Sequence, residues 1–174
     1  MAITTAVTTT SSVSWQTKDT SANDSNKFFD NQGQFLYSKA FTQGSGSLGE
    51  IDLQWADRFT LTSGVDTTLD LQNLSTSMFS TSIASTFTGI KDFLVVNNTT
   101  GVNSKISVLS TGTNAFTAVW NNGSGNLEIM PNSVLHFTAY TSGWAVTNIN
   151  RNLIVRDLGG QGSDVSVFFA GTSG

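Results

Sequence analysis

Alternation governs most of the chain. Ile51, Leu53, Trp55, Phe59 and Leu61 fall on odd positions, with Asp52, Gln54, Arg58, Thr60 and Thr62 between them. Successive side chains of a strand point to opposite faces, so this run predicts a half-buried strand that bends near Ala56 and Asp57. Phe35, Tyr37 and Phe41 share another such face, with Gln34, Ser38 and Thr42 opposite. Leu69 and Leu71, Ile106 and Val108, Leu127 and Ile129, Leu135 and Phe137, and Val165, Val167 and Phe169 repeat the pattern. Phe93-Leu94-Val95-Val96 is continuous and predicts a strand covered on both faces. Residues 75–88 are rich in Ser and Thr and fit either a strand or a short helical turn near 75–79, with Met78, Phe79, Ile83 and Phe87 inward.

Turn chemistry separates the runs. Gly44–Ser47, Ser63-Gly64, Asn97–Gly101, Asn121–Gly125, Pro131-Asn132 and Ser142-Gly143 punctuate the chain. Eight to ten short strands with no competing helical period predict an all-β fold. The expected architecture is an antiparallel two-sheet sandwich, jelly-roll-like. Residues 1–32 differ: Thr, Ser, Asn and Asp dominate, and apolar side chains are sparse. Such a segment buries no core of its own. It is predicted to be an extended polar N-terminal arm that orders along its own domain or a neighbour, anchored by Trp15, Phe28 and Phe29, while 33–174 form a single β-sandwich domain.

Composition narrows the function. Only 11% of the 174 residues are charged, against roughly 25% in ordinary domains. Polarity comes from hydroxyls and amides, which suits surfaces covered by neighbours. The net charge is −4 and the eight basic residues are scattered, so direct nucleic-acid binding, which draws its affinity from Lys and Arg on phosphates, is not expected. There is no cysteine, hence no disulfide or thiolate chemistry. No stretch approaches the ~18 apolar residues of a membrane span, and no signal peptide is evident at the N-terminus.

Candidate chemistry is thin. His136 is the single histidine and alternates against Leu135 and Phe137, which places it on the strand's outer face or at an interface. No G-x-S-x-G elbow accompanies it, and one histidine cannot build a His-rich metal site. Glu50 and Asp52 share a strand face at a spacing of ~7 Å, but nothing predicts a cleft between them. Asp66, Asp70 and Asp92 lack a D-x-D-x-D-G loop and read as surface solvation. No catalytic residue, metal ligand or cofactor site is therefore expected. Trp55 and Trp144 fit inward positions. Trp15, in the arm, and Trp120, before a glycine loop, are the better contact candidates, with Tyr140, Phe28 and Phe29 beside them.

The C-terminal half resembles a domain of virion structural proteins from tailed bacteriophages. The resemblance is carried by Thr67–Leu71, by Ile90–Thr99 (similar to a K-x-x-x-I-x-N-T strand) and by Leu127–Ala139 (similar to an L-x-I-x-P-G-x-x-L-x-x-x-A hairpin, with Asn132 in place of Gly). Gly143–Val146 and the ending Val165–Ser173 complete it. It implies a jelly roll on a phage particle and no catalytic residues. The leading expectation is a capsid decoration (cement) protein on the outer capsid surface of the virion. Its partners would be the major capsid protein and copies of itself, as a trimer. The alternative is a tail or fibre-tip protein that binds a host glycan or receptor through exposed aromatics such as Trp120 with Tyr140. A free-standing lectin-like module and an enzyme rank below both.

Overall fold

The computed structural model describes residues 6–18, 30–44, 48–78, 81–120 and 125–173. Its strands in chain order are β1 (Val7–Lys18), β2 (Asp30–Gln43), β3 (Glu50–Ile51), β4 (Leu53–Leu61) and β5 (Asp66–Asp70). There follow β6 (Leu74–Met78), β7 (Thr81–Ser85), β8 (Gly89–Asn97), β9 (Ile106–Leu109) and β10 (Asn126–Ile129). The last are β11 (Ser133–Thr138), β12 (Trp144–Ala145), β13 (Asn152–Asp157) and β14 (Ser163–Thr172). A 3-10 turn at Ala118–Trp120 is the one helical element among the described residues, so the protein is all-β.

Two antiparallel sheets face each other. One runs β4-β14-β8-β11, with β12 also paired to β8; the other runs β5-β13-β9-β10. The alternation read from the sequence decides which side chains meet between them. Trp55 and Leu61 of β4, Phe93 and Val95 of β8, and Val165, Val167 and Phe169 of β14 are buried from one side. Ile106 and Val108 of β9, Ile129 of β10, and Leu153 and Val155 of β13 are buried from the other. Phe93 and Phe169 stack with centroids 5.4 Å apart at 10° between planes, which fixes the register of β8 against β14 at the middle of the core. On β8 the outer residues Leu94 and Val96 are half-buried, so the continuous apolar run is covered on its second face only in part.

The ends of the sheets are closed by specific polar contacts. Asn132 takes φ 58° in the β10–β11 turn, the left-handed conformation that glycine or asparagine tolerates best. Asn97, fully buried at the end of β8, donates from Nδ2 to the carbonyls of Ser104 (2.7 Å) and Ile129 (3.2 Å) and accepts from Thr99 N–H (3.1 Å). Asp157 is buried at the end of β13. Its carboxylate accepts from Gly159 N–H (3.1 Å), Gly162 N–H (3.1 Å) and the Ser163 hydroxyl (2.7 Å). Burial pushes its pKa up, but the hydroxyl of Ser163 and the three glycine amides 159, 162 and 160 outweigh burial and hold it below the ordinary carboxylate value.

Two expectations change. Ser75–Met78 are strand, not a helical turn: β6 and β7 form a hairpin with Leu74 opposite Ser85 and Thr76 opposite Ile83. The Trp55 indole donates to the Ser75 carbonyl (3.1 Å) and ties that hairpin to β4. Of the predicted inward residues there, Phe87 is fully buried and Ile83 is exposed, while Phe79 and the Met78 side chain lie outside the description. Second, the Phe35, Tyr37, Phe41 face does not line the sandwich. β2 pairs with β1 in a two-stranded ribbon, and only Phe41 is buried. Alternation identified a strand face correctly, but periodicity carries no information about what covers a face.

Candidate interaction surface

The ribbon is the most distinctive feature outside the sandwich. Its register is continuous and antiparallel over 12 pairs, from Val7 opposite Phe41 to Lys18 opposite Asp30, a length of about 40 Å at ~3.3 Å per residue. The segment from 7 to 18 therefore lies along β2, and β2 begins two residues before the predicted arm boundary at 32. β2 continues into a short parallel contact with β3, Thr42 opposite Glu50 and Gln43 opposite Ile51.

The foot of the ribbon is fastened to the outer face of the β4-β14-β8-β11 sheet. Phe41 and Ile51 bury against Ala170 of β14, with Val7, Phe168 and Tyr140 packed around them. The Phe41 and Tyr140 rings lie 5.4 Å apart, tilted by 48°. The Lys39 ammonium sits 5.2 Å from the centre of the Tyr140 ring, within cation–π range. Gly49, at φ 71°, passes so close to Tyr140 that a Cβ there would run into the phenol ring, and its N–H donates to the Tyr140 carbonyl (3.0 Å).

A polar contact stands beside this apolar one. Asp92 on β8 is 3% exposed and Thr9 on β1 is 4% exposed. The Thr9 hydroxyl donates to one oxygen of Asp92, and Nε2 of His136 on β11 lies 2.8 Å from the other. Asp92 was expected at the solvated surface. It is buried because the ribbon foot lies over it, a long-range contact that spacing in the sequence cannot reveal. His136 sits on the outer face, as the alternation predicts, at the contact between ribbon and sandwich. The order of groups is not that of a Ser-His-Asp triad. There the imidazole stands between hydroxyl and carboxylate and takes the hydroxyl proton. Here the carboxylate stands between, and the hydroxyl points at an acceptor that does not activate it. The arrangement is a fastening.

Beyond the foot, every described side chain of the ribbon is exposed, at positions 10–14 and 34–40. Four of them are large and apolar: Val13 (63% exposed), Phe35 (73%), Leu36 (65%) and Tyr37 (40%). No Asp, Glu, Lys, Arg or His occurs between residues 7 and 17 or between 31 and 38. The ribbon is thus a neutral, partly apolar projection from an acidic chain.

The predicted contact residues divide. Tyr140 holds the ribbon foot from the sandwich side. Trp120 packs against the main core from the 3-10 turn, and its indole Nε1 is buried without a hydrogen-bond partner among the described residues. Trp120 and Tyr140 thus belong to separate clusters. The Trp15 backbone pairs with Gly33 in the ribbon, while its side chain, together with Phe28 and Phe29, lies outside the described residues. The residues missed by sequence reasoning are Thr9, Asp92 and Leu36. A strand of hydroxyl residues facing an alternating strand was the available signal for the ribbon, but their separation in the sequence hid the pairing.

Two smaller features complete the surface. A groove of about 580 Å³ is lined by Thr117, Ala118, Trp144, Thr147, Ile149 and Asn150, with Ile149 79% exposed. At the other end of the sandwich, the loops carrying exposed Val65, Val102 and Leu158 are joined by bonds from Gly64 N–H to the Asp157 carbonyl (3.2 Å) and Leu158 N–H to the Lys105 carbonyl (2.8 Å). The carboxylates Asp66, Asp70 and Asp164 do not converge: they pair with Arg156, Arg151 and Arg58 respectively. Among the described residues no group of three or more His, Asp or Glu is placed to hold a metal ion. The chain matches no protein-family model and no curated protein.

Proposed function

We propose that this chain is a jelly-roll structural protein of a tailed-bacteriophage particle. It sits on the outer capsid surface as a decoration protein and acts through contacts, not catalysis. Its partners are the major capsid protein and copies of itself, assembled as a trimer. The strand order supports the jelly-roll part. Counting the eight strands on the main paths of the two facing sheets along the chain, one sheet holds the first, eighth, third and sixth, and the other the second, seventh, fourth and fifth. That is the order of two Greek keys wrapped into a jelly roll.

The observation that carries the contact role is the ribbon, fastened at its foot by Phe41 and Thr9 and exposed along the rest of its length. A two-stranded ribbon alone is marginal in water, so one with exposed apolar groups on both faces is built to be covered. On a capsid it would lie across a joint between coat subunits. Binding to the assembled lattice alone stabilises it by mass action. The test is addition of purified protein to undecorated capsids. Saturable binding and a raised disruption temperature are expected. Capsids that neither bind the protein nor gain heat resistance sink the proposal.

One observation favours the second reading, a tail or fibre-tip protein that binds a host glycan. The groove at Trp144 offers an aromatic side chain beside the polar side chains of Thr117 and Asn150, the mixture that sugar rings select. Glycan-array binding that disappears in Ile149→Asp, with unchanged thermal stability, would move the reading there.

A further inference from the structure

We infer that the β1–β2 ribbon is the element through which copies of this chain associate, with the free edge of β1 adding to the ribbon of a second copy. The inference rests on the self-association part of the proposed reading and deepens it, but does not require a capsid.

The edge itself is the first argument. Among the described residues β1 pairs with β2 alone, so one side of its backbone along Val7–Lys18 carries N–H and C=O groups with no strand opposite. Proteins that must keep such an edge from pairing blunt it with Lys, Pro, a bulge or brevity. This edge has none of these over Val7–Thr17: its register has no shift, it is long, and the chain's single proline is Pro131. An edge without protection is an edge in use.

The choice of a second copy follows from charge and sequence. The chain carries −4, so two copies repel through most of their surfaces. The ribbon is where they approach without that repulsion, since 7–17 and 31–38 hold no acidic or basic side chain. Six of the seven residues Thr8–Ser14 bear hydroxyls, Val13 being the exception. Laid antiparallel on its own copy, this strand sets hydroxyl opposite hydroxyl in nearly any register, and such pairs stabilise sheets. The ribbon already makes one: Thr10 Oγ1 and Ser38 Oγ are 3.3 Å apart across the strands. A charged or strongly basic partner would find nothing to pair with here. Val13, Leu36 and Tyr37, exposed on the two faces, are then covered by the neighbouring ribbon and its sandwich.

Light scattering on the purified full chain tests this. A mass at a multiple of 18.5 kDa is expected for the wild type, two copies if β1 meets β1 about a two-fold and three if β1 meets β2 head to tail. The double variant Val13→Lys with Leu36→Lys should run as a monomer with the thermal stability of its sandwich retained. Because the chain has no cysteine, Ser12→Cys gives a second readout. Where β1 meets β1 it should form a disulfide-linked dimer on mild oxidation, while Val102→Cys at the far end should not. A monomeric wild type overturns both the inference and the self-association it rests on. A multimer whose mass the lysines leave unchanged, or a two-copy particle in which Ser12→Cys does not cross-link, overturns the ribbon assignment alone. Failure to bind capsids, measured separately, bears on neither result.

Discussion

Replacing Phe41 with alanine should separate the two parts of this molecule. Phe41 is 2% exposed and is the largest of the three buried side chains in the cluster that joins the ribbon to the sandwich, where its neighbours are Ile51, Ala170, Val7, Tyr140 and Phe168. That cluster shares no residue with the main core around Phe93 and Phe169. Phe→Ala at a buried site costs about 3–5 kcal/mol through lost transfer energy and the cavity left behind. Against that stands what else fastens the foot: the Thr9–Asp92 hydrogen bond, worth about 1.5–3 kcal/mol as a bond to a charged group, and the two-residue pairing of β2 with β3. A ribbon of two strands contributes little stability of its own. The loss is therefore as large as what remains, and the ribbon should open locally while the sandwich stays folded. Hydrogen exchange read by mass spectrometry resolves this. Amides of β1 and β2 should lose most of their protection, and those of β8, β9, β13 and β14 should keep theirs. Parallel loss of protection in β8 and β14 would show that ribbon and sandwich unfold as one unit and would refute the reasoning.

Three further outcomes follow from single contacts. Thr9→Val keeps the shape of the side chain and removes one of the two groups on the buried Asp92 carboxylate; a loss of about 1.5–3 kcal/mol in ribbon protection, with sandwich exchange unchanged, is expected in the same exchange experiment. Asp157→Asn should lower the urea midpoint at neutral pH, because an amide cannot accept from the Gly159, Gly162 and Ser163 donors together. The folded carboxylate is held below its ordinary value, so its contribution is complete above the unfolded pKa of about 3.9 and is lost as pH falls through the lower folded one. The gap between wild type and variant should narrow as pH drops below about 4, and a gap that widens contradicts the assignment. Gly171→Ala should destabilise the sandwich by about 1–3 kcal/mol in thermal unfolding, since the new methyl would overlap the Gly89 carbonyl oxygen where the β8–β14 register shifts.

Much of the sandwich was legible because its strands obey one local rule. Leu61, Val108, Val167 and Phe169 sit where alternation places them, and each is buried. The turn at Pro131-Asn132 was legible for a similar reason, since few residues tolerate its positive φ. The ribbon was not legible. Its strands lie on either side of residues 19–29, and the rule that finds them says nothing of their pairing. Asp92 was misread for the same cause: β8 shows a carboxylate on an outer face, and only the distant Thr9, 83 residues earlier, makes that face an interior. His136 was placed on the correct face by its neighbours, while its partner Asp92, 44 residues away, belongs to tertiary structure.

The placement of that polar contact bears on how the ribbon works. A purely apolar foot would dock in several nearly equivalent positions, because hydrophobic contact is weakly directional. Buried polar groups are costly when left unpaired, so a hydrogen bond between Thr9 and Asp92 anchors the ribbon on the sheet. A one-residue slip of β1 would bring Thr8 or Thr10 to Asp92 in place of Thr9, but it would carry Val7 off the Phe41 cluster and leave Ala6 or Thr8 there. The foot thus fixes the direction in which about 40 Å of ribbon projects, with Phe41 and Val7 supplying the adhesion and Asp92 a fixed polar anchor. In the association proposed above, an arm that meets an equivalent arm on another copy needs a defined direction more than it needs strength. There the neutral, hydroxyl-rich edge beyond Thr10 would supply the pairing surface, and the acidic remainder of the chain would keep other surfaces apart.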